Sequence, residues 1–135
     1  MSDRPFRVLS LSGGGIRGIF QAVYLARLAE HFPGPMFKYF DLICGTSTGA
    51  IVALAIACGI EPKEIVKAYR EKGALIFQPR RMGKIRQGGR YDPSPLMDTL
   101  SVLFGDKKLS DVNSTLSDSK PIICRCHLIQ CKPLF

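Results

Sequence analysis

The sequence predicts an α/β protein, a three-layer α/β/α sandwich built around a mainly parallel sheet. Two observations carry that expectation. Short apolar runs, Arg7 to Leu11 and Phe40 to Cys44, each lead into a glycine-rich turn and then into residues at helical spacing. Strand followed by helix, repeated, lays successive strands side by side in parallel with helices on both faces. At 135 residues the chain is expected to form a single domain over 1–135, which buries roughly two-thirds of its unfolded surface. A hydrophobic content of 46% with 22% charged residues belongs to a folded globular chain rather than a disordered one.

The elements follow in order. Arg7 to Leu11 is the first strand, and Ser12 opens a turn through Gly13-Gly14-Gly15-Ile16-Arg17-Gly18. A helix is expected from about Ile19 to Phe32, since Ile19, Ala22, Val23 and Ala26 share one face. Pro33-Gly34-Pro35 ends it. The second strand, Phe40 to Cys44, meets Gly45-Thr46-Ser47-Thr48-Gly49, and an Ala/Ile/Val/Leu helix runs from there to Gly59. Pro62 starts a third helix, to about Phe77, and Ser94-Pro95 (cap, then first-turn proline) a fourth, to Phe104. Between them, 78–91 holds Arg80, Arg81, Lys84, Arg86 and Arg90 with several glycines, and is expected to be a mobile basic loop. Pro121 to Leu128 reads as a further strand.

The balance of 19 Lys+Arg against 11 Asp+Glu gives a net charge of +8, which suits an anionic partner. The basic loop favours anionic lipid headgroups at a membrane surface over nucleic acid, because it lacks interleaved aromatics and no nucleic-acid module is recognisable. The odd count of 5 cysteines, with no signal-like N-terminus, points to a reduced, cytoplasmic setting. The longest apolar run, Ala50 to Cys58, falls well short of the roughly 18 residues that cross a bilayer.

The chemistry centres on Ser47. It sits at the apex of a strand-turn-helix, between Gly45 and Gly49, where a Cβ at either flank would collide as the backbone doubles back. That turn lifts a hydroxyl clear of the sheet at a helix N-terminus, a place that favours an anion. Ser47 is therefore the candidate nucleophile, against the plainer alternative of an N-cap. The Gly13 to Gly18 loop supplies the complementary part. Backbone N–H groups of Gly14 and Gly15, unobstructed by side chains, suit the oxyanion of acyl transfer; Arg17 would hold the loop or meet a phosphate. The same Gly13-x-Gly15-x-x-Gly18 fits a dinucleotide fingerprint. That motif expects an acid at the end of the second strand, where this chain has Cys44-Gly45.

Leu9-Ser10-Leu11-Ser12-Gly13-Gly14-Gly15-Ile16-Arg17-Gly18, followed by Phe40-Asp41-Leu42-Ile43-Cys44-Gly45-Thr46-Ser47-Thr48-Gly49-Ala50, resembles the patatin-like phospholipase family, its bacterial branch most closely. The likeness is best over Phe6 to Tyr69. It implies a patatin-like fold and a lipid acyl hydrolase, of phospholipase A or acylglycerol esterase type, acting in lipid catabolism on glycerolipid or phospholipid. It further implies a Ser–Asp dyad with Ser47 as nucleophile. The implied oxyanion hole is Gly13, Gly14, Gly15, Arg17 and Gly18, and the implied nucleophile elbow Gly45 to Gly49. No cofactor or metal is implied. Ser12 stands where many members carry aspartate and others serine.

The resemblance places the dyad aspartate in an Asp-Gly-Gly or Asp-Gly-Ala turn well downstream, and this sequence has no Asp-Gly dipeptide. The expectation is a partial domain that stops before its dyad is complete. A serine without its base is a poor nucleophile at neutral pH, so the alternative function is a catalytically silent lipid-binding or interaction module. Two other constellations fail on placement. Ser47, Asp98 and His127 follow the α/β-hydrolase order, but His127 falls within a predicted strand. Cys124, Cys126, His127 and Cys131 lack the spacing of a zinc site and read as free cysteines and a strand histidine.

Overall fold

The computed structural model describes residues 5–79 and 91–108. Two strands, β1 (Val8–Leu11) and β2 (Leu42–Gly45), lie parallel, with Val8 opposite Leu42 and Leu11 opposite Gly45. The described residues also form four helices: α1 (Gly18–Ala29), α2 (Thr48–Ala57), α3 (Pro62–Ile76) and α4 (Ser94–Phe104). The connection from β1 to β2 runs through α1, the crossover that a parallel pair requires. The α/β class read from the strand-helix order is the one observed. The expected strand at Pro121 to Leu128 and the basic stretch Arg80 to Arg90 lie outside the described residues.

Boundaries shift where local chemistry overrides the pattern. The second strand begins at Leu42 rather than Phe40 because Asp41 is tied to the start of β1. Its N–H donates to Arg7 O at 2.8 Å, and the Arg7 N–H donates back to Asp41 Oδ2 at 2.9 Å. Asp41 is buried, so this exchange satisfies a carboxylate that would otherwise be costly to desolvate. Ahead of it, Met36–Tyr39 forms a 3₁₀ turn that the run Pro33-Gly34-Pro35 did not disclose. At α4 the cap is displaced. Ser94 is already helical, and its N–H donates to Asp92 Oδ1 at 3.0 Å, so the aspartate does the work expected of the serine.

The core lies between the sheet and its helices. Ile43, Val52, Ile56 and Ile65 are the largest fully buried side chains, drawn from β2, α2 and α3. Helix α2 is apolar on every side and mostly buried, as a helix wedged between a sheet and other helices must be. Helix α3 is amphipathic, burying Ile65, Val66 and Ile76 and exposing its lysines and glutamates. Fixing α2 on the C-terminal ends of both strands determines where the Ser47 turn points.

Candidate active site

Ser47 has φ 51° and ψ −126°, and among the described residues it alone is a non-glycine residue at positive φ. A serine enters that region only when the surroundings force it. Here the flanking glycines make the constraint visible. A Cβ on Gly45 would fall against the Gly49 carbonyl, and one on Gly49 would stand 2.5 Å from Leu11 O. The first turn of α2 therefore presses on the ends of β1 and β2 with no space for a side chain. Thr46 continues the strand register, its N–H donating to Leu11 O at 3.1 Å, and the chain then reverses at Ser47.

Ser47 occupies the N-cap position of α2, yet its hydroxyl makes no capping hydrogen bond and the residue is exposed. The N-cap alternative thus does not account for the serine. Among the described residues its Oγ has no hydrogen-bond partner, and it sits at the positive end of a buried helix.

The glycine loop lies against this turn. A Cβ on Gly13 would come within 2.9 Å of both Ser47 Cβ and Thr46 O, so only glycine allows the loop so close. The Gly13 N–H donates to Thr46 Oγ1 at 3.0 Å, joining loop to elbow. Gly13 is thereby engaged as the seat of the loop, which leaves the N–H groups of Gly14 and Gly15 as candidate donors. Gly15, at φ 59°, opens a 3₁₀ turn through Arg17. The Arg17 side chain folds back beside Gly14, with Cβ and Nε 3.5 and 3.7 Å from where a Gly14 Cβ would sit. Gly18 starts α1.

Two residues that the sequence did not single out for the site support it. The Tyr69 hydroxyl, from α3, fills the space beside Gly18, where a Cβ would meet it at 2.5 Å and Thr48 Oγ1 at 3.2 Å. Burial raises the Tyr69 pKa above its ordinary value of 10.0, and the Thr48 hydroxyl acts weakly in the opposite sense. Tyr69 stacks on Phe77 at a centroid distance of 6.4 Å, and Phe77 meets Tyr91 edge-on at 6.2 Å. Gln21 is the second; its Nε2 donates to Ser12 O at 2.5 Å. Neither had a sequence signal, since Tyr69 reads as one apolar position of a helix and Gln21 as a polar one.

The described residues thus bring together Ser47, Thr46, Thr48 and the Gly13 to Gly18 loop. Asp98 lies on α4, in a groove with Glu64, Lys67 and Glu71 rather than at the elbow. Among the described residues no group of His, Cys, Asp and Glu could hold a metal ion. His127 and Cys124, Cys126 and Cys131 lie outside them.

An exposed serine hydroxyl without a capping bond, on a strained strand-to-helix turn and faced by a glycine loop, is an arrangement suited to nucleophilic acyl transfer. Residues 9–134 match the family model for patatin-like phospholipase, and the chain belongs to that family. It is 36% identical over 111 residues to a cGAMP-activated phospholipase of Pseudomonas aeruginosa, covering 79% of this chain and 33% of the relative. It is 34% identical over 148 residues to a cGAMP-activated phospholipase of Vibrio cholerae, covering 96% and 40%. Human calcium-independent phospholipase A2-gamma is 40% identical over 78 residues, covering 57% and 10%. The chain thus spans no more than two-fifths of the length of these relatives.

Proposed function

We propose that this chain carries the nucleophile and the oxyanion loop of a serine lipid acyl hydrolase acting on glycerophospholipid esters. Ser47 Oγ attacks the ester carbonyl carbon and gives its proton to a base. The carbonyl oxygen becomes an oxyanion facing the Gly14 and Gly15 N–H groups. Collapse expels the lysolipid alkoxide, which takes up a proton, and water releases the fatty acid from the acyl-serine. The observation that carries this reading is Ser47 itself, exposed, at φ 51° and without a capping bond. Family membership supports the lipid substrate. In the dyad that the resemblance implies, the base is an aspartate in an Asp-Gly turn, which this sequence does not contain.

The setting we propose is cytoplasmic and peripheral to an anionic membrane surface. The net charge of +8 supports it, and among the described residues no helix is long and apolar enough to cross a membrane. Pro79 and Tyr91 pair as an isolated antiparallel bridge, and Phe77 lies beside Gly15. Arg80, Arg81, Lys84, Arg86 and Arg90 fall between Pro79 and Tyr91 in the sequence, and we propose that these basic residues meet lipid phosphates.

Phosphatidylglycerol vesicles test the proposal. Fatty-acid release is expected where Ser47 has its base, with a loss on the order of 10³-fold or more in Ser47→Ala. The assay is run with and without cGAMP, since two relatives bear that activator in their names. The second reading is a silent lipid-binding module that keeps the elbow and the glycine loop without turnover. Vesicle binding with no release under either condition selects it.

A further inference from the structure

Gln21 stands outside the strand-turn-helix motif, yet its side chain reaches the glycine loop from the first turn of α1. The peptide that joins Ser12 to Gly13 is held at both polar ends. Gln21 Nε2 donates to its carbonyl oxygen at 2.5 Å, and its N–H donates to Thr46 Oγ1 at 3.0 Å. A planar peptide gripped at O and at N–H cannot rotate about the chain. The next two peptides carry the N–H groups of Gly14 and Gly15, and glycine imposes no side-chain limit on their direction. With the plane before them fixed, only φ and ψ of Gly13 and Gly14 remain to set that direction.

The same carbonyl is crowded from the other side, since a Cβ on Gly49 would stand 2.6 Å from Ser12 O. The other amide atom of Gln21, Oε1, is buried with no hydrogen-bond partner among the described residues. An orphaned buried acceptor is costly, so a residue that merely filled this space would be apolar.

We propose that Gln21 is a positioning residue for the oxyanion loop, fixing the Ser12–Gly13 peptide plane and so aiming the Gly14 and Gly15 donors at Ser47. This rests on the reading of Ser47 as nucleophile. Gln21→Met keeps length and volume but removes the donor; Gln21→Glu keeps the shape and sets a carboxylate against a carbonyl. Labelling by a fluorophosphonate is followed as a function of probe concentration. The limiting rate is expected to fall about tenfold in Gln21→Met and further in Gln21→Glu, with the half-saturating concentration unchanged. Hydrogen exchange at the Gly13 amide, read by NMR on probe-free protein, accelerates by a similar factor and needs no reactive serine.

Equal limiting rates in wild type and Gln21→Met overturn the proposal, as does Gly13 exchange that stays at the wild-type level. A lower melting temperature with an unchanged limiting rate per folded molecule marks a packing role and overturns it too. If the wild-type protein does not label at all, the nucleophile reading fails instead, and Gly13 exchange alone decides whether Gln21 fixes the loop.

Discussion

Ser47 is held at φ 51° and ψ −126°, and a non-glycine residue kept in sparse backbone space costs on the order of 1–3 kcal/mol. The strain has a checkable consequence. Ser47→Gly relieves it while removing the hydroxyl, so the variant is expected to melt at or above the wild-type temperature while losing all labelling and turnover. The flanking glycines behave in the opposite way. A methyl group on Gly49 would stand 2.5 Å from the backbone oxygen of Leu11, and backbone cannot swing aside as a side chain can. Gly49→Ala is expected to cost about 3 kcal/mol, the upper end of overpacking, read from denaturant midpoints. Much of this local geometry was legible in the sequence, because two glycines around a serine after an apolar run leave few other turns. The Gln21 bridge and the Tyr69 hydroxyl beside Gly18 were not. Both depend on one helix approaching a loop, and no spacing along the chain encodes that approach.

At the scale of the element, α2 transmits the core to the site. Ile56 is fully buried on it, and Ile56→Ala is expected to destabilise by about 3 kcal/mol, whereas the exposed Val102→Ala on α4 stays within about 0.5 kcal/mol. Helix α3 adds a pH dependence. Burial raises the pKa of Tyr69 above 10.0, so the folded state holds this phenolic proton more tightly than the unfolded chain does. The corresponding stability is complete below pH 10 and is lost as the pH rises through the folded value. Urea midpoints should therefore fall with pH above 10 more in wild type than in Tyr69→Phe. The helices were readable because proline and glycine punctuate them: Pro62 opens α3 as expected, and Gly105 follows α4. The start of β2 was not, since Phe40 continues the apolar run and only the Asp41 carboxylate on the Arg7 amide shows that the strand begins later.

At the scale of the whole molecule, a surplus of basic residues meets a family that acts on lipids. With a net charge of +8, binding to anionic vesicles is expected to weaken steeply as salt shortens the screening length. Replacing Arg80, Arg81 and Lys84 by serine should weaken it further, at roughly 1 kcal/mol per basic residue near the surface. Binding that is indifferent to both salt and these substitutions would remove the electrostatic account. The nucleophilic chemistry comes down to one atom, Ser47 Oγ. Treating the protein with a fluorophosphonate and mapping the adduct by peptide mass spectrometry tests it most directly. One adduct per chain is expected, on Ser47 and absent from Ser47→Ala. An adduct on another residue, or equal labelling of Ser47→Ala, contradicts it.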